Sequence, residues 1–258
     1  MEPIHSLCLL EGNQDKGYPA LYDKISRYAS QNYAIIYAVE TDTTQTVRRM
    51  SQHGVDVESL VESGALSLVD RDEMYSIDRT DLDGHALLDS WHTVMLKVKR
   101  RSNFDGILAM GSAENFFEFP SDQDKLVKYE EMAGKRFHIP LESICCYSQK
   151  AFDSLSLGNL LAILNAHYST VHRNSRYEQW NPQNIVELAR RGMNKALGDN
   201  DISHLFFKTL KLCYKIDENT IASNPATLER MLVKLLGKDA TELTLSFIKD
   251  EVRKTVSF

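Results

Sequence analysis

Residues 33–54, YAIIYAVETDTTQTVRRMSQHG, hold the pattern that decides the fold. From Tyr33 to Val39 the chain is apolar without alternation, as a strand is when both faces of its sheet are covered. TDTTQTVRRMSQHG (41–54) then supplies a polar cap, a helix and a terminating glycine, Gly54. Strand, cap, helix and glycine make half of a β-α-β unit.

The same order recurs on both sides. HSLCLL (5–10) is a buried strand, and the helix after it repeats apolar residues at Leu21, Ile25 and Tyr28. DVESLVESG (56–64) predicts a short helical turn ending at Gly64, with the strand ALSLVD (65–70) behind it. LLDSWHTVMLKVKR (87–100) sets Leu87, Trp91, Val94 and Val98 on one helical face and leads into the strand DGILAM (105–110). Ser121 and Asp124 resemble a capping box for a helix running to about Phe137. SICCY (143–147), LGNLLAILNAH (157–167) and YSTVH (168–172) predict a strand, a helix and a last strand. Repeated units of this kind imply an α/β domain over residues 1–172, a mostly parallel sheet with helices on both faces.

RNSRYEQWNPQN (173–184) breaks the pattern and is expected to be a linker. Residues 185–258 then predict a small all-α domain of four helices, NIVELARRGMNKALG, DISHLFFKTLKLCYKI, ATLERMLVKLLG and ATELTLSFIKDEVRK. A bundle this small is marginal alone, so it is expected to dock on the first domain or on a second copy, and a homodimer is predicted.

Charge excludes some partners. The net charge is −6; residues 181–258 carry 12 Lys and Arg against 10 Asp and Glu, and residues 1–180 carry 18 against 26. Neither part is basic enough for nucleic-acid binding. No apolar run approaches a bilayer span, and MEPIHSLCLLEG lacks the basic start and cleavage site of a signal peptide, so a cytoplasmic protein without membrane contact is expected. Cys8, Cys145, Cys146 and Cys213 have no metal-ligand spacing, and no two histidines share a helical face beside an acid. No metal and no cofactor are expected.

LCLLEGNQDKGYPALYDKI (7–25) has the outline of a phosphate loop, with Gly12 and Gly17 framing four residues between a strand and a helix. Its chemistry is missing. Tyr18 and Pro19 occupy the places of the lysine and the magnesium-holding hydroxyl, Lys16 precedes the second glycine, and Glu11 and Asp15 repel phosphate. FDGILAMGSAEN (104–115) gives Gly111 and Ser112 where a magnesium-binding aspartate belongs, and the nearest acid is Glu114. Hydrolysis of a nucleoside triphosphate is therefore not expected. No G-x-S-x-G elbow is present either, and no catalytic residue is assigned.

Ligands of open α/β sheets bind beyond the carboxyl ends of the strands. That rule makes Glu11, Lys16, Glu40, Gly111, Ser112, Glu114 and Tyr147 the candidate ligand contacts. His5 lies at the opposite end of its strand and, like His167, is expected to be structural.

Residues 34–75, AIIYAVETDTTQTVRRMSQHGVDVESLVESGALSLVDRDEMY, closely resemble the MEDS domain, the methanogen/methylotroph DcmR sensory domain. The shared motifs are the Glu40-Thr41-Asp42-Thr43 turn, the segment from Gly54 through Asp56 to Val57, the turn from Glu62 through Gly64 to Leu66, and Asp72 to Tyr75. His5 matches the histidine that opens the family, Cys145 and Tyr147 with Phe152 and Asp153 match its closing strand, and His167 matches a late histidine. The resemblance spans residues 4–172. It implies a KaiC/RecA-like fold that has lost its phosphate loop and serves as a sensor in signalling. The family's Gly-Glu-Met is replaced by Gly111-Ser112-Ala113-Glu114. The C-terminal stretch from Glu218 to Val252 is similar to a small helical output domain of archaeal signalling proteins. A non-catalytic sensory or regulatory protein is expected, binding a small ligand or a protein partner. The alternatives are a nucleotide switch with Lys16 on phosphate and Glu40 as base, or a structural assembly protein.

Overall fold

Alternate residues of strand β1 (Ile4–Leu10) enter different cores: Leu7 and Leu9 pack on one face of the sheet, Cys8 and Leu10 on the other. The computed structural model describes residues 4–10, 18–39, 42–70, 74, 84–101, 103–117, 122–136, 141–167, 169–170, 178–179, 182–198 and 200–256. After β1 come α1 (Tyr18–Ser30), β2 (Tyr33–Val39), α2 (Thr43–Gln52), α3 (Val57–Glu62), β3 (Leu66–Asp70), α4 (Gly84–Arg101) and β4 (Gly106–Ser112). A 3-10 turn (Glu114–Phe117), α5 (Gln123–Arg136), β5 (Leu141–Ser148), α6 (Gln149–Ser154), α7 (Leu157–Ala166), β6 (Ser169–Thr170) and β7 (Glu178–Gln179) complete the α/β part. Five helices follow: α8 (Pro182–Leu197), α9 (Asn200–Tyr214), α10 (Glu218–Ser223), α11 (Ala226–Leu236) and α12 (Lys238–Val256).

The sheet order is β3-β2-β4-β5-β1-β6-β7. All neighbours pair in parallel except the last, where β7 runs antiparallel to β6. Helices cover both faces, as the unbroken apolar strands require. On one face Leu21, Ile25 and Met50 of α1 and α2 pack on Cys8, Tyr37, Met110 and Cys146. On the other, Trp91 and Met95 of α4 lie over Ala34, Ala38 and Ala109, whose small side chains let the helix approach.

The turns follow the local chemistry. Asp42 caps α2 by accepting from Thr44 N (2.8 Å), and Asp56 caps α3 by accepting from Ser59 N (3.2 Å). Gly54 and Gly64 end these helices at φ of +90° and +74°, the left-handed region that favours glycine. These four motif positions therefore shape turns. Tyr75 lies outside the described residues.

α7 buries Leu157, Leu160, Leu161, Ile163 and Leu164, because it lies between the sheet and the C-terminal helices. Among the described residues the C-terminal region has five helices where four are expected. The extra one is α10, nucleated by Asp217, which accepts from Thr220 N (2.8 Å). The apolar faces of this region (Ile185, Leu188, Leu228, Leu232, Ile248, Val252) join the same core as Leu7 and Tyr147, so the bundle docks on the α/β part. Lys249 of α12 donates to the carbonyls of Asp153 (3.0 Å) and Leu155 (2.5 Å), and Arg253 to the Asp153 carboxylate (2.8 Å).

Candidate functional site

Five polar side chains converge between the sheet and α5 and α7. The period of two on β1 and β5 turns His5, Cys145 and Tyr147 to the same face, where Glu130 of α5 and His167, just past the end of α7, meet them. His5 and His167 are 4 % and 3 % exposed, and Glu130 and Tyr147 are fully buried.

The last carbonyls of α7 have no helical partner, and the histidines use them. His5 Nδ1 donates to Ala166 O (3.1 Å) and His167 Nδ1 to Ile163 O (2.6 Å). Both rings therefore turn Nε2 inward, stacked with centroids 4.0 Å apart. His5 Nε2 lies 3.2 Å from Glu130 Oε2 and 3.2 Å from Cys145 Sγ, and His167 Nε2 lies 3.6 Å from the same carboxylate oxygen. Cys145 Sγ is also 3.2 Å from Glu130 Oε2, and the Tyr147 hydroxyl donates to Glu130 Oε1.

Burial sets the protonation states. It lowers the pKa of His167 from 6.5 to about 4, helped by the His5 charge and opposed by Glu130. Burial also works against the Glu130 charge. His167, His5 and the hydrogen bond from Tyr147 outweigh it and hold the carboxyl down at about 2. Burial, reinforced by Glu130, pushes both the Cys145 thiol and the Tyr147 phenol well up.

Beside this centre is a cavity of about 30 Å³, lined by His5, Glu130 and Cys145 on one side and by Trp91, Gly111, Ser112 and Phe116 among others. That space holds about two water-sized groups. Trp91 is 5 % exposed, and its indole N–H is without a hydrogen-bond partner among the described residues.

Of the candidate contacts read from the sequence, Gly111 and Ser112 line this cavity and Tyr147 bonds to its carboxylate. Glu114 begins the 3-10 turn that follows β4. Glu11, Lys16 and Glu40 lie outside the described residues. His5, at the start of β1 as expected, lines this cavity because the cavity lies on the face of the sheet. Glu130 was not singled out. Its one sequence signal is an acid at the apolar spacing of Leu126 and Ala133 on α5.

The chain is thus a parallel α/β domain with a buried polar centre and an adjoining cavity. The family model MEDS (MEthanogen/methylotroph, DcmR Sensory domain) matches residues 5–168, and the chain belongs to this sensory family. It is also similar to the uncharacterized protein PH0321 from Pyrococcus horikoshii, solved in complex with an unknown peptide. Identity is 15 %, 67 % of this chain and 80 % of that one are covered, and the TM-score is 0.48. No curated protein matches the chain. No described helix is long and apolar enough to cross a membrane.

Proposed function

We propose that this is a non-catalytic sensory or regulatory protein that binds a small ligand at the buried centre and passes its state to the C-terminal helices through α7. The position of α7 carries the reading. On one side Ile163 and Ala166 hold the two histidines. On the other, Gly158 approaches α11 so closely that a Cβ there would sit 2.9 Å from Ala226 Cα. Gly158 N also donates to Glu229 (3.0 Å), and Asn165 Nδ2 to Ala222 O (2.6 Å). A shift of the histidines must move α7 or strain its carbonyl contacts, and α10 and α11 sit directly on it.

The ligand suited to the cavity is a molecule of a few heavy atoms with a hydrogen-bond acceptor for Trp91. The parallel sheet covered on both faces supports a degenerate KaiC/RecA-like ancestry, and the helical region would hand the signal to a protein partner or a second copy. The test is a thermal-shift screen of small polar molecules, with ATP and GTP plus magnesium as comparators. Stabilisation by a small molecule, lost in Trp91→Phe and accompanied by slower amide exchange in α10 and α11, supports the proposal. Stabilisation or turnover with the nucleotides alone overturns it in favour of a nucleotide switch, and a large ring or filament in light scattering in favour of an assembly protein.

A further inference from the structure

The buried centre has too few protons for its acceptors. Because both Nδ1 atoms donate to α7 carbonyls, each neutral imidazole presents a bare lone pair at Nε2. The two lone pairs and the Glu130 Oε2 carboxylate oxygen face one another, and the Cys145 S–H is the one donor among them. Tyr147 is spent on the other carboxylate oxygen. A proton shared by His5 and Glu130 would settle one contact, yet His167 Nε2 would still be buried without a hydrogen-bond partner among the described residues.

We infer that His5 Nε2, His167 Nε2, Glu130 Oε2 and Cys145 Sγ bind a divalent transition metal, zinc being the ion their chemistry fits best. This deepens the sensing proposal, since it rests on the same centre. The four donor atoms lie within 4.8 Å of one another, and four of their six separations are 3.2–3.6 Å. A tetrahedral ion with bonds of about 2.0–2.3 Å needs donors about 3.3–3.8 Å apart, so little movement is required. Two imidazoles, a carboxylate and a thiolate form a borderline-soft set suited to zinc. Their outer bonds are those that orient metal ligands: each imidazole is held through Nδ1 by a backbone carbonyl, and the carboxylate by a tyrosine hydroxyl. Binding breaks the Cys145 S–H bond, the thiolate pair goes to the metal and the proton leaves to solvent. One cation then satisfies all three bare acceptors.

The test is cobalt(II) titration of the full chain after chelator treatment and dialysis. Saturation at one ion per chain is expected, with thiolate-to-cobalt charge-transfer absorption, four-coordinate ligand-field bands and displacement by zinc. Cys145→Ser should abolish the charge-transfer band and Cys213→Ser should leave it. Glu130→Gln and His167→Ala should each weaken binding by about tenfold or more. Absence of a one-equivalent thiolate band in the wild-type chain overturns the assignment, whether or not the variants fold. So does a band that survives in folded Cys145→Ser. Failure here with a small-molecule response intact removes the metal and keeps the sensor. Metal binding with unchanged amide exchange in α10 and α11 keeps the metal and removes the transmission.

Discussion

Acid should unfold the metal-free protein through His167. Its pKa is 6.5 when unfolded and about 4 when folded, because burial and the His5 charge disfavour the imidazolium. Between these values the unfolded chain holds a proton at residue 167 that the native state refuses. The stabilisation is therefore complete above 6.5 and is lost as the pH falls toward 4. The slope is about 1.4 kcal/mol per pH unit and the whole effect is on the order of 3 kcal/mol, a large fraction of a domain stability of about 5–15 kcal/mol. Glu130 does not blur this window, since its depressed pKa costs stability only as the pH falls from 4.5 to about 2. Urea midpoints followed by tryptophan fluorescence from about pH 7.5 to about pH 4.5, with chelator present, measure the slope. Against His167→Gln, which removes this imidazole, the wild-type minus variant difference should rise with pH at about 1.4 kcal/mol per unit. Parallel lines for the two proteins would refute the claim that the imidazole is held neutral.

Two further substitutions probe the packing and the centre. In Gly192→Ala the new Cβ would lie 2.5 Å from Ile248 Cα, so α8 and α12 must separate. Overpacking of about 1–3 kcal/mol should exceed the helix-propensity gain of about 1 kcal/mol, and urea unfolding that shows a more stable variant would contradict this close crossing. Tyr147→Phe removes the donor to Glu130 Oε1 inside the core and should cost about 1–3 kcal/mol, read from the same unfolding curves; a neutral result would mean that Glu130 does not depend on this hydroxyl.

The strands and their turns were legible in the sequence because they are written locally. Unbroken apolar runs such as Tyr33–Val39, the polar start of α2 and the glycines at 54 and 64 each fix a few neighbouring residues, and each is found as expected. The centre was not legible in that way. His5 and His167 are brought together by a strand pairing and a helix end more than a hundred residues apart, a spacing no metal or catalytic motif describes. Glu130 sits in a helix where a charged residue on the apolar face is a faint signal, and only the fold shows that it faces two imidazoles. The family resemblance did mark His5, Cys145 and His167, but as separate positions, and gave no reason for them to touch.

A second buried polar group shows why the first reads as a site. On the opposite face of β1 and β5, Lys24 of α1 contacts Glu142, with Ser6 Oγ 3.5 Å from the same carboxylate oxygen. Burial and the nearby Arg27 charge lower the Lys24 pKa to about 6. The pair remains matched either way: an ammonium donates to a carboxylate, or an amine accepts from a carboxylic acid. Such a pair needs no ligand. The histidine centre has the same depth and the same two strands beneath it, yet with both imidazoles neutral and both Nδ1–H bonds to α7 kept, its acceptors exceed its donors. The difference is one of proton count, not of burial or polarity, and it directs the search for a bound cation to one face of the sheet.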